Sequence, residues 1–286
     1  MSRRGRSRTT GFAVIGVLLA VVVTAIVTIP RLLGSAVVDS APPAATPTNT
    51  ATAHPTGGDR TGPIRLVGFG DSVMAGTACD CDDFLTQVGH QLAGRTGRAV
   101  TTINNGANGE TAAGVLQELR TDDAVAAEIS AAGVIVVTIG ANDLGPALDE
   151  WQDRGCDAAC YQPEIQAMGQ RLSDALTVLD RHKPAATPVL VTSYWNVFED
   201  GDVGLDEHGV AYPAWSDRVT RAANRAICAA AERAAAGCVD LYRPFKGDGG
   251  QDPTTLLADD GDHPNDTGTT VIADTVTAAI DRRLSR

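Results

Sequence analysis

Apolar positions fall along this chain in distinct regimes. Residues 11–29 are almost wholly apolar, and no charge stands between Arg8 and Arg31. Residues 34–63 are rich in Pro, Thr and Ala and carry no periodic pattern. From Ile64 onward, short apolar runs alternate with longer stretches of helical period. The runs at 64–69, 100–103, 134–139, 189–192 and 238–241 read as strands, and most are continuous rather than alternating in polarity, which calls for burial on both faces. Between them, 84–93, 112–129 with a break near Thr121, 164–181, 214–236 and 269–284 read as helices. Pro163, Pro213 and Asp266 stand at helix starts and Gly237 follows a helix end, as capping preferences favour. The β-α order, repeated about five times, predicts an α/β domain over 64–286, a parallel five-stranded sheet with helices on both faces.

The uninterrupted run changes the picture of where this domain lives. At a rise of about 1.5 Å per residue such a helix is roughly 30 Å long, the thickness of a bilayer's hydrocarbon core. Residues 11–33 are therefore expected to be a transmembrane signal anchor, with 1–10 a basic cytoplasmic tail, since Arg3, Arg4, Arg6 and Arg8 precede it. Cleavage and secretion is the alternative, although a signal peptide usually has a shorter apolar region and a small-residue cleavage site. Residues 34–63 cannot bury a core and read as a linker, in which His54 is solvated. The formal charge of −12 is uneven: 18 basic against 35 acidic residues lie beyond residue 32, a net of −17. A surface so negative repels phosphate backbones and excludes nucleic acid as a partner of the folded part.

All six cysteines, Cys79, Cys81, Cys156, Cys160, Cys228 and Cys238, lie on the side expected to be exported. An even count there favours disulfides over a metal site, and proximity pairs Cys79 with Cys81, Cys156 with Cys160 and Cys228 with Cys238. Cys79-Asp80-Cys81 lacks the two-residue gap usual for zinc ligands, so no metal is expected.

Ligands of parallel sheets bind beyond the carboxyl ends of the strands. Gly70-Asp71-Ser72 follows the first predicted strand, 104–109 the second, Gly140-Ala141-Asn142-Asp143 the third, and 259–265 precedes the last helix. Ser72 is a candidate nucleophile, His263 its base, and Asp260, three residues earlier, a partner for the far ring nitrogen. The Ser72 backbone N–H, that of a glycine in the second loop and the Asn142 amide would stabilise an oxyanion. Spacing leaves Gly106 open beside Gly109, and Asp259 or Asp262 beside Asp260.

Gly68-Phe69-Gly70-Asp71-Ser72-Val73-Met74-Ala75-Gly76, Asn108-Gly109-Glu110-Thr111, Gly140-Ala141-Asn142-Asp143 and Asp260-Gly261-Asp262-His263-Pro264-Asn265 resemble, in order, the four signature blocks of the SGNH, or GDSL-type, esterase and lipase family. The resemblance implies a flavodoxin-like three-layer α/β/α sandwich with Ser72, Asp260 and His263 as the triad. It also implies that Ser72, Gly109 and Asn142 form the oxyanion hole, and that no metal or organic cofactor is needed. Val73 replaces the leucine of the GDSL name. The expected activity is that of an extracytoplasmic, membrane-anchored serine esterase or lipase, a monomer acting on a small-molecule, lipid or glycan ester. Deacetylation of an envelope carbohydrate, or a non-catalytic binding module on the same fold, are the alternatives.

Residues 200–206 hint at a calcium loop, but Gly204 and Leu205 occupy positions that need a ligand and the turn glycine, so a solvated acidic loop is expected. His90, His182 and His208 are read as surface or packing residues. Every tryptophan falls between 151 and 215, and Tyr194 and Trp195, after the fourth strand, are candidates to line the substrate; packing of long loops is the competing reading.

Overall fold

The computed structural model describes residues 62–285. The predicted anchor and linker, up to residue 61, lie outside the described residues. Among those, no helix is long and apolar enough to cross a membrane.

The five apolar runs form strands β1 (Ile64–Gly70), β2 (Val100–Gly106), β3 (Val134–Thr138), β4 (Val189–Thr192) and β5 (Gly237–Val239). They make one parallel sheet in the order β2-β1-β3-β4-β5. Every residue of β3 and β4 is buried, as their unbroken apolar sequences require. β2 runs past the predicted end at Ile103 through Asn104, Asn105 and Gly106, in register with Gly68, Phe69 and Gly70. At the sheet edge its side chains are only half-buried, so polarity does not end the strand.

Helices α1 (Ser72–Ala75), α2 (Phe84–Thr96), α3 (Ala112–Thr121), α4 (Asp123–Ser130), α5 (Gly145–Arg154), α6 (Ala158–His182), α7 (Gly201–His208), α8 (Tyr212–Arg233), α9 (Tyr242–Lys246) and α10 (Asp266–Leu284) complete the described chain. α2 packs on α10 to form one outer layer, and α3, α6 and α8 pack side by side to form the other. The fold is thus the three-layer α/β/α sandwich, with the break near Thr121 realised by Asp122, whose carboxylate caps α4.

Two expectations are corrected. Pro163 does not start α6 but lies inside it: its missing N–H leaves only the Ala159 carbonyl without its helical donor, while Tyr161, Ile165, Met168 and Leu172 carry one buried face across it. The acidic segment is the helix α7 rather than a loop, capped by Asp200 and closed around Gly204, where a Cβ would meet the Glu199 carbonyl oxygen at 2.8 Å. The three disulfides join Cys79 to Cys81, Cys156 to Cys160 and Cys228 to Cys238, the last tying α8 to β5.

β1 and β3 approach closely at Gly70, where a Cβ would stand 2.1 Å from the Thr138 carbonyl oxygen. Gly94, inside α2, has open space around it instead. Gly94→Ala is therefore expected to raise the melting temperature by a few degrees through the ~1 kcal/mol helix preference for alanine. Gly70→Ala should lower it by at least ~5 °C or prevent folding. Thermal unfolding by circular dichroism checks both, and a neutral Gly70→Ala would contradict the packing described.

Candidate active site

In this strand order the chain reverses direction across the sheet between β1 and β3, whose carboxyl ends flank a crevice. Ser72 stands at that point as the first residue of α1. Asp71 caps α1: its backbone N–H donates to the Thr138 carbonyl (3.0 Å), and its Oδ1 accepts from the Val73 N–H (3.0 Å). The nucleophile candidate is thereby held between two fixed neighbours.

The loop carrying His263 closes on itself through a bridge between Leu257 and Pro264 and through the Ala258 N–H, which donates to the His263 carbonyl at 2.8 Å. Within it, Asp260 Oδ1 accepts the backbone N–H groups of Asp262 and His263, each at 3.0 Å, and Oδ2 lies 2.7 Å from His263 Nδ1. That contact fixes the proton on Nδ1 and leaves Nε2 as the basic nitrogen. Nε2 is buried and has no hydrogen-bond partner, so the Ser72 hydroxyl is not bonded to it in this state. Hydrogen bonds of this kind commonly tighten only when substrate binds. Asp262, the neighbouring alternative, lies on the other side of the ring, with Oδ2 3.9 Å from Nε2, and Asp259 is exposed and makes no bond to His263.

The carboxylates sit in opposite environments. Partial burial would raise Asp260, but the hydrogen bonds from His263 and from the Asp262 N–H outweigh it and hold its pKa below the usual value. Burial raises Asp71 to about 7 against the hydrogen bonds from Tyr194 and Val73; Asp262 adds to the rise and His263 opposes it.

Asn142 opens a 3-10 turn, Asn142–Leu144, just past β3. Its Nδ2 donates one hydrogen to the Glu110 carbonyl at 2.8 Å, which orients the amide and leaves the second hydrogen free. Asp143 is buried and accepts from the Ala112 N–H (2.8 Å) and from Arg171 (3.3 Å), pinning this turn to α3 and α6. In the second loop, the Gly106 N–H is committed to Asn104 Oδ1 at 2.9 Å, which disfavours it as an oxyanion donor. Gly109 is exposed with φ +75°, a left-handed conformation that suits glycine, and its Glu110 neighbour is tied to Asn142.

Tyr194 and Trp195 do not line this crevice. Both are 1% exposed: Trp195 stacks on Phe245 with ring centres 4.4 Å apart, and the Tyr194 hydroxyl donates to Asp71 Oδ2. Trp151, Trp215, Phe198 and Tyr212 likewise stack on one another and fasten the long segments to the domain, because large apolar rings gain most from leaving water. The expectation of an aromatic substrate wall built on these residues is corrected. Asp71 could have been found from the helix-cap rule, whereas Tyr194's partner, 123 residues away in sequence, leaves no local signal. Two clusters of potential metal ligands, Cys79 with Cys81 and Asp266, and Glu150 with Cys156 and Cys160, depend on sulfurs already joined in disulfides.

Comparison with known proteins bears on the fold and the family. The pattern of the GDSL-like Lipase/Acylhydrolase family matches residues 69–271. No curated protein sequence matches. Among solved structures, the lipase Lip_vut3 from a goat rumen metagenome is similar with a TM-score of 0.64 and 18% identity, over 76% of this chain and 97% of that one. A lipase/acylhydrolase from Enterococcus faecalis gives 0.52 and 19%, over 77% and 96%. A variant of Axe2, an acetyl-xylooligosaccharide esterase from Geobacillus, gives 0.55 and 16%, over 78% and 96%. At these identities the structures speak for the fold, and the match across most of the domain supplies the rest: the chain belongs to the GDSL-like lipase/acylhydrolase family and is a carboxylic ester hydrolase.

Proposed function

We propose that this protein is a membrane-tethered, extracytoplasmic serine esterase that works through Ser72, His263 and Asp260. The observation that carries the reading is the 2.7 Å contact between Asp260 and His263 Nδ1, which leaves Nε2 buried and without a hydrogen-bond partner, as a base awaiting the Ser72 hydroxyl requires. On substrate binding Nε2 takes the Ser72 proton as Oγ attacks the ester carbonyl carbon. The negative charge passes to the carbonyl oxygen, which accepts hydrogen bonds from the N–H groups of Ser72 and Gly109 and from the Asn142 amide. Collapse returns the proton to the departing alcohol and leaves an acyl-serine. Water, deprotonated by the same nitrogen, then releases the carboxylic acid. Asp260, held ionised, stabilises the imidazolium that forms in each half.

The extracytoplasmic placement rests on the arginines before an uncharged apolar stretch at 11–29 and on a domain whose six cysteines pair as three disulfides. Acetylated carbohydrate is the second substrate reading, favoured by the similarity to an acetyl-xylooligosaccharide esterase.

Ser72→Ala should abolish hydrolysis of p-nitrophenyl acetate. Asp260→Asn should lower kcat about 10²- to 10⁴-fold, and Asn142→Ala about 10²- to 10³-fold. A Ser72→Ala protein as active as the wild type would overturn the assignment. In a bacterial host, the full-length chain should sediment with membranes and its catalytic domain should be digested by protease added to spheroplasts; recovery in the soluble cytoplasmic fraction would contradict the tether.

A further inference from the structure

A hydrogen-bonded chain runs from α8 to the nucleophile. Asn224, on α8, accepts the Tyr194 backbone N–H at 3.0 Å and donates to the Tyr194 carbonyl at 2.7 Å, so both polar groups of that peptide segment are clamped by one side chain. The Tyr194 hydroxyl, fully buried, reaches from the end of β4 across β3 to Asp71 at the end of β1. Two strand spacings are about 10 Å, a span that a tyrosine and an aspartate bridge only by meeting end to end. Asp71 then holds the Val73 N–H through its other oxygen and the Thr138 carbonyl through its own N–H.

We infer that Asn224 and Tyr194 are positioning residues, which fix the direction of the Ser72 hydroxyl through Asp71 without touching substrate. The inference rests on the reading of Ser72 as nucleophile. Its physical basis is that the Asp71 carboxylate has two oxygens and, with Tyr194 in place, each has a separate donor. Without the phenol, Oδ2 is left buried without a donor, and the cheapest relief is rotation of the carboxylate away from its present orientation. That rotation gives up the Val73 N–H, loosens the first turn of a helix only four residues long and lets Ser72 drift.

The test uses the full-length enzyme and p-nitrophenyl acetate. Tyr194→Phe is expected to lower kcat about 10- to 100-fold, the cost of a misplacement of about 1 Å, while KM stays within about twofold. Asp71→Asn combined with Tyr194→Phe should fall no further than the more damaging single change, because both act along one chain. Asn224→Ala, which removes the clamp and leaves the phenol and carboxylate intact, should lower kcat about threefold or more, again without a matching rise in KM. It also serves as the reading should Tyr194→Phe fail to fold. Wild-type kcat in Tyr194→Phe or Asn224→Ala, a loss confined to KM, or fully additive losses in the double variant would each overturn the inference. Activity that survives Ser72→Ala would instead strike at the nucleophile assignment itself.

Discussion

The carboxylate of Asp71, buried one residue before Ser72, is the constraint around which the carboxyl edge of this sheet is organised. Taking Asp71 out of water costs several kcal/mol unless donors replace the lost hydration. Val73 supplies one from the first turn of α1, and Tyr194 supplies the other from the end of β4. Meeting that demand draws the ends of β1, β3 and β4 together, and the close β1–β3 approach at Gly70 is the backbone side of the same arrangement. The compensation is incomplete, since burial still lifts the carboxyl to about 7. A carboxyl raised in the fold disfavours its own charged form. Its contribution to stability is full below the ordinary value of 3.8 and is lost as pH rises through about 7. The edge that carries the chemistry thus stores an electrostatic cost at neutral pH, which more distant packing must offset.

Asp260 shows the opposite solution. Its hydrogen bonds come from the Asp262 and His263 N–H groups and from the ring it orients, and they hold its pKa low, whereas burial raises that of Asp71. Carboxylates whose environments push their pKa values apart take different roles. Asp260, ionised and in contact with Nδ1, suits the stabilisation of an imidazolium, whereas Asp71, clamped and desolvated, suits the holding of a backbone. Asp262, raised to about 6 chiefly by burial, completes an acidic rim close to Nε2. The net −17 beyond residue 32 therefore has a local counterpart at the site, where an anionic alcohol group would meet repulsion.

What could be read from the sequence was what is local. Continuous apolar runs revealed β1, β3 and β4 because full burial leaves a composition signature, and Asp260 with His263 was legible because three residues of one loop suffice to join them. The short helices α1, α5 and α9 leave no long apolar period in the sequence; α1 is held by its Asp71 cap, whereas α5 and α9 have no side-chain cap at their N-termini. α6 continued through Pro163 because packing of its buried face outweighs one absent hydrogen bond. The sequence leaves Tyr194 open between substrate lining and packing, because an aromatic residue after a strand looks the same whether its ring turns outward or, as here, inward to a partner 123 residues away.

Catalysis as proposed depends on His263 and Asp260 activating Ser72 as a nucleophile. Treating the folded full-length protein with a fluorophosphonate and mapping the adduct by peptide mass spectrometry tests it most directly. A single adduct on Ser72, formed by the native protein and absent once it is unfolded, is the result predicted. An adduct on a different serine, or none while the same sample still hydrolyses esters, would contradict the account.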